Sequence, residues 1–202
     1  MTIVQAILLG ALQGASEFLP ISSSGHLVVA KELFGLAEVP VLFDVLLHVA
    51  TLAAVLVVLR NHVWAFLVAL GRLVVRRKTA EDEPYLRLIP IIVVTTAVTG
   101  AMGIGLDASF DIRDPRMTSA LFIVTAVTLI ATRWSRGGRG LFDIRWGDVA
   151  VLGVAQGFGV LPGISRSGAT ISAALFAGMD RKTAGEYSFL LSIPAILGAL
   201  VL

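Results

Sequence analysis

The sequence predicts an all-α polytopic membrane protein with an inverted-topology repeat: two re-entrant helix-loop-helix hairpins plus transmembrane helices. Three observations carry this. Hydrophobic residues make up 56% of the 202 positions and charged residues only 15%, and the mean hydropathy is +0.89, more apolar surface than a soluble domain of this length carries. A polar loop occurs twice inside apolar sequence: Gln13 to His26 and Gln156 to Thr170 share Gln-Gly, then Leu-Pro, then Ser-x-Ser-Gly. The apolar segments flanking each loop are too short to span alone, as in re-entrant hairpins. The whole is read as one integral membrane domain, 1–202, with repeat one at about 1–134 and repeat two at about 147–202.

Taken in order, Ile3 to Ala15 and Leu27 to Leu36 flank the first loop. The first segment lacks a basic leading region and so is not read as a signal peptide. Val41 to Leu59, Leu88 to Leu106 and Met117 to Thr132 fit the roughly 20 residues that cross a bilayer. Val63 to Val75 is short and interrupted by Arg72; it reads as an interfacial helix, with a full crossing as the alternative. Val149 to Phe158 and Ala169 to Met179 flank the second loop, and Tyr187 to Leu202 forms a last span.

Arginines and lysines collect in three regions, Arg60 to Arg87, Arg133 to Arg145, and Arg181 with Lys182, whereas Asp107 to Arg116 carries compensating acids. With Val63 to Val75 at the interface, all three basic regions fall on one side, which is cytoplasmic by the positive-inside rule. Three spans then separate the hairpins, so the first enters from outside and the second from inside, an inverted repeat whose site is expected near the midplane. Asp44 follows His26 at the same spacing as Glu186 follows Gly168. The second half has no counterpart of the first half's last two spans, so the sequence reads as truncated at its C-terminus; a shortened variant that fills its open flank as a homo-oligomer is the alternative.

There are no cysteines, which excludes disulfides and thiolate chemistry, and the net charge of +2 says little. No basic-aromatic pattern points to nucleic acid. Ionisable groups at membrane depth are costly and mark a functional site by default. In the second loop, Arg166 is a planar donor fork suited to phosphate, set before an apolar helix whose N-terminal N–H groups favour an anion. Ser165, Ser167 and Thr170 add hydroxyl donors, making an oxyanion cradle. In the first loop, Glu17 is a candidate cation ligand or general base, His26 a candidate acid, base or nucleophile, and Ser22, Ser23 and Ser24 precede a helix starting near Gly25. Together these are the parts needed for phosphoryl transfer.

Plainer readings stand beside these. Ser22 and Thr170 are explained equally well as helix caps, and Gln13 and Gln156 as interhelical hydrogen-bonding groups. Glu17 and Arg166 could form a purely structural pair. His48 reads as a packed or tuning group, His62 as a headgroup-level residue, and Asp44 and Glu186 as site supports or span anchors.

These motifs resemble the undecaprenyl-diphosphate phosphatases, also described as bacitracin-resistance proteins. The resemblance rests on Gln13-Gly14-Ala15-Ser16-Glu17, on Pro20-Ile21-Ser22-Ser23-Ser24-Gly25-His26, on Pro162 to Thr170, and on the context Glu186 to Leu191. It implies a multi-pass bacterial inner-membrane hydrolase acting on a C55 polyprenyl diphosphate at the outer face. The products would be the monophosphate and inorganic phosphate, recycling a cell-wall lipid carrier and conferring bacitracin resistance. It also implies a divalent cation, Mg2+ or Ca2+. By position, Gln13 and Glu17 fall on the acidic motif that would hold the metal, Ser23 and His26 on the catalytic loop, and Arg166 with Ser165, Ser167 and Thr170 on the phosphate loop, with Glu17 and Arg166 also expected to be catalytic. Ser22 and Ser24, at the N-terminus of the first loop's helix, are further phosphate-binding candidates. Gln13 departs from the family's more usual Glu and contributes no charge. The expected nucleophile is His26, Ser23 activated by His26, or water. A transporter or flippase of an anionic lipid or small anion, using Glu17 and His26 as a proton relay, is the alternative from another class; a membrane scaffold would leave the intramembrane charges unexplained.

Overall fold

A computed structural model describes residues 1–36, 39–107 and 115–199. The described chain is all-helical. Helices α1 (Ile3–Phe18) and α2 (Ser23–Leu33) form the first hairpin, followed by α3 (Val41–Val58), α4 (Arg60–Val74), α5 (Glu83–Asp107) and α6 (Pro115–Ala131). Helices α7 (Trp146–Phe158) and α8 (Arg166–Phe176) form the second hairpin, and α9 (Arg181–Ala199) follows it. The compensating acids expected between Asp107 and Arg116 lie largely outside the described residues, as does the end of the last span.

By length and composition, α5 and α6 each suffice to cross a membrane. Helices α3 and α4 pass the same test only as a pair, bent by 79° at Leu59. That near-right-angle turn fits the interfacial reading: α3 rises about 27 Å at 1.5 Å per residue, close to the roughly 30 Å hydrocarbon core, and α4 turns across its end. Apolar side chains point outward in large numbers, with Ile3 80% and Leu33 79% exposed, as expected for a multi-pass protein whose outer surface meets lipid rather than water.

The bundle is organised around the hairpins. Helix α5 packs closely on α7, and α9 packs on α3, α5 and α8. The α5–α7 approach depends on Gly153 and Gly157, one turn apart: an added Cβ would lie 2.8 Å from the Val98 side chain at the first and 2.6 Å from Met102 Cβ at the second, the small-xxx-small spacing that lets membrane helices touch backbone to backbone. Helix α6 contacts both α2 and α8, so it bridges the two hairpins. At the far end of the second hairpin, Arg139 makes a bidentate pair with Asp148 (2.8 and 3.1 Å) and donates to the Ala177 carbonyl. Arg139 is therefore a clamp between the start of α7 and the end of α8 as well as part of a basic linker.

Candidate active site

The two loops meet head to head. Both following helices are capped in the same way: the Ser22 hydroxyl accepts from Gly25 N (3.3 Å) and the Ser165 hydroxyl from Gly168 N (3.0 Å). Ser22 also accepts from Gly163 N (3.1 Å), so one hydroxyl joins the loops. The approach leaves no room for side chains: a Cβ on Gly25 would lie 2.7 Å from Gly163 N, and one on Gly168 would lie 3.0 Å from the Pro20 carbonyl oxygen. Thr125 of α6 holds the second loop from behind, donating to the Gly163 carbonyl (2.8 Å) and accepting from Ser165 N (3.1 Å). Thr125 was not legible in the sequence, where it is one threonine among several on an apolar helix.

Helix α2 begins at Ser23, two residues before the expected start near Gly25, because Ser22 is the cap. That places Ser23 at the first helical position, where Arg166 stands in α8. Both side chains turn to the same carboxylate. Arg166 Nη2 donates to Glu17 Oε1, and the Ser23 hydroxyl donates to Glu17 Oε2. Gln13 Nε2 also donates to Glu17 Oε2, at 3.2 Å. The Glu17 side chain is 9% exposed and that of Arg166 23%. A carboxylate buried to that degree requires a partner; here the first repeat supplies Ser23 and Gln13 and the second supplies Arg166.

This cluster lies in the wall of a cavity of about 600 Å3. Glu17, Ser23, Ser24, Ser165, Arg166 and Ser167 line it together, and much of the remaining wall is apolar, including Val45, Ile104 and Ile196. Ser22, Thr170, Gln13 and His26 are not among the lining residues. Ser22 is a cap and loop bridge, Thr170 donates to the Arg166 carbonyl at 2.8 Å, and Gln13 stands behind Glu17. His26 hydrogen-bonds through Nδ1 to the Ser22 carbonyl (2.8 Å) and packs edge-on against Phe122. His26, the candidate acid, base or nucleophile, thus lies outside the cavity lining and is turned toward Phe122 of α6. The imidazole that lines the cavity is His48 of α3, bonded through Nδ1 to the Asp44 carbonyl (2.8 Å). Asp44, also in the wall, is paired with Lys31 at 2.6 Å, tying the end of α2 to α3.

Among the described residues no group of three or more His, Asp or Glu side chains forms a preset metal cage. A hard divalent cation does not need one, since Mg2+ is commonly held by one or two carboxylates with substrate phosphates and water. Glu17 supplies the carboxylate. Beside it Gln13, fully buried, has a carbonyl oxygen with no hydrogen-bond partner among the described residues, and a buried acceptor left unmet is costly. The donor set fits an oxygen-ligated cation carried largely by its substrate.

A paired-loop site with one carboxylate, one guanidinium, a row of hydroxyls and two opposed helix N-termini, set among apolar helices, has the chemistry of a membrane protein's oxyanion site. Residues 6–202 match the family described as bacitracin resistance protein BacA. The chain is 50% identical over 202 residues to an undecaprenyl-diphosphatase of Treponema denticola, covering 100% of this chain and 75% of that one. It is 44% identical over 204 residues to an undecaprenyl-diphosphatase of Desulfosudis oleivorans, covering 97% and 75%, and 40% identical over 205 residues to one of Carboxydothermus hydrogenoformans, covering 100% and 73%. The chain belongs to the BacA family of bacitracin resistance proteins.

Proposed function

We propose that this chain is an undecaprenyl-diphosphatase, cleaving the C55 polyprenyl diphosphate to the monophosphate and inorganic phosphate. The observation that carries the reading is the Glu17 carboxylate shared by Ser23 of one loop and Arg166 of the other, in the wall of a largely apolar cavity. Family membership and the similarity to undecaprenyl-diphosphatases support it. The polyprenyl tail lies along the apolar wall, and the diphosphate lies between the N-termini of α2 and α8, whose N–H groups and dipoles favour negative charge.

In the substrate-free protein Arg166 is held on Glu17. An incoming phosphate is a better partner for the guanidinium fork, and its arrival transfers Arg166 to the substrate, leaving Glu17 free to accept a proton. Ser23 already donates its hydroxyl hydrogen to Glu17, so Glu17 is placed to take that proton as the Ser23 oxygen attacks the terminal phosphorus. The bond from that phosphorus to the bridging oxygen breaks, and its electron pair leaves with the polyprenyl monophosphate. Water then attacks the phosphoserine phosphorus, and the bond from phosphorus to the Ser23 oxygen breaks. That oxygen takes back the proton held by Glu17, Glu17 accepts one from the attacking water, and inorganic phosphate leaves. Ser165 and Ser167 donate to the phosphate oxygens, while His26 positions the first loop through Ser22. Glu17 would hold the divalent cation through Oε1, the oxygen that Arg166 vacates, while Oε2 takes the Ser23 proton. Gln13 would support the cation from behind Glu17, and the cation would supply charge neutralisation at the phosphates. The site serves the bacterial inner membrane and opens to its outer face, an orientation taken from the family resemblance.

The test is phosphate release from C55 diphosphate in detergent, with Mg2+ and with EDTA, for the unmodified chain, Arg166→Ala and Glu17→Ala. Release that needs the metal and is lost in both variants is expected. Folded unmodified chain that releases no phosphate would overturn the reading.

A further inference from the structure

Hydrolysis consumes a water molecule, and a largely apolar cavity must hold that water somewhere. We infer that the carbonyl oxygen of Gln156 binds the reacting water in this cavity; the inference rests on the phosphatase reading above.

Gln156 is 1% exposed and lines the same cavity as Glu17, Ser23 and Arg166. The orientation of its amide follows from its neighbours. The Thr99 hydroxyl lies 2.9 Å from the Thr95 carbonyl and 3.2 Å from the Gly153 carbonyl, and donates its single hydrogen to these acceptors. Toward Gln156, 3.1 Å away, Thr99 can therefore only accept. The Gln156 atom at that contact is Nε2, the donor, and Oε1 is the atom left over. Oε1 is buried and has no hydrogen-bond partner among the described residues. Flipping the amide would set Oε1 against a hydroxyl whose hydrogen is already donated, acceptor against acceptor, and is disfavoured by the same network.

A buried acceptor without a donor is costly in the empty protein and is satisfied when a ligand brings one. The participants in the reaction narrow the choice. The polyprenyl chain has no donor. The diphosphate presents oxygens that mainly accept. The cation is expected at Glu17 and Gln13. Water is the participant with an O–H to give, and donating one hydrogen to Gln156 Oε1 leaves a lone pair free to meet phosphorus. Thr99, anchored to α5 and α7 through carbonyls on both helices, fixes the amide and with it the water. Gln156 thus touches a reacting molecule, and Thr99 is a positioning residue.

The test uses the full chain in detergent with C55 diphosphate, comparing Gln156→Leu, Thr99→Val and the double variant for kcat, KM and melting temperature. Expected is a kcat at least roughly tenfold lower in Gln156→Leu, the size of one lost hydrogen bond in the transition state, with KM within about twofold and melting temperature held. Thr99→Val should lose several-fold, and the double variant should match Gln156→Leu, because both act through one amide. A kcat within twofold of the unmodified chain would overturn the inference. So would a raised KM at constant kcat, which would make Gln156 a substrate ligand, or a loss explained by less folded protein. An unmodified chain that releases no phosphate would remove the phosphatase reading itself, a distinct result.

Discussion

Ser22 caps α2 from the left-handed region, at φ 68°, whereas Ser165 caps α8 from extended backbone, at φ −74°. The two loops otherwise share their order of residues, and the difference traces to one position. Between proline and capping serine the first loop has Ile21 alone, and the second has Gly163 and Ile164. Gly163 sits at φ +99°, and its N–H and carbonyl are the atoms that Ser22 and Thr125 hold. An inserted glycine in one repeat and a left-handed serine in the other are two solutions to the same task, a sharp reversal ahead of a helix N-terminus. Repeats that fold alike can therefore diverge in chemistry at equivalent positions. The first helical residue is Ser23 in one and Arg166 in the other, and both reach the single carboxylate that only the first repeat carries.

Removing the unlike pair should have the largest effect. Arg166→Ala is expected to lower kcat by roughly 100- to 1000-fold, the usual loss on deleting a donor to developing charge, and Arg166→Lys should recover only part of it because the fork is lost. Steady-state phosphate release measures both. Ser23→Ala should abolish a phosphoenzyme trapped from substrate labelled in its terminal phosphate, whereas His26→Ala should still form one; the reverse pattern would exchange their roles.

Stability should expose the backbone difference. Gly163→Ala places a Cβ 2.3 Å from the Thr118 carbonyl oxygen at a positive φ, and about 3 kcal/mol or more of destabilisation is expected from strain and overpacking together. Denaturation midpoints would show it against Gly14→Ala, whose added Cβ meets nothing within 4 Å. Thr125→Val should cost about 1–3 kcal/mol, since it strips Gly163 O and Ser165 N of a buried partner, with a smaller effect on KM than on melting.

The smallest effect concerns how the span after each hairpin begins. Helix α3 starts after Pro40 with no side-chain cap, whereas Asp180 precedes α9 and accepts from Thr183 N (2.9 Å) and the Thr183 hydroxyl (2.7 Å). The Thr183 backbone bond, with its hydroxyl next, holds the Asp180 carboxyl below the usual aspartate value. A depressed native value means the ionised form stabilises the fold above the unfolded-state value near 4. That contribution is lost as pH falls through the native value. Asp180→Asn should therefore lower melting temperature slightly at neutral pH and flatten its decline in acid.

Much of this molecule is legible in one dimension because membrane burial is a local constraint. Each span must satisfy its own backbone and face lipid, so hydropathy and length mark α3, α5 and α6 closely, and Pro, Gly and Ser mark the two breaks. The repeated Ser-x-Ser-Gly was readable for the same reason, since a helix cap is made within four residues. What the tertiary structure alone decided is which side chains share a space. His26 and His48 are equivalent as letters, yet α6 packs on α2 and covers the former with Phe122, while α3 turns the latter to the cavity. Gln13 and Gln156 repeat in sequence, yet one amide is spent on Glu17 and the other on Thr99. Thr99 and Thr125 carry no sequence signal at all, because a hydroxyl on an apolar helix usually bonds its own preceding turn. These depend on how helices far apart in the chain meet, and packing between distant segments follows the whole set of contacts rather than any residue's neighbours.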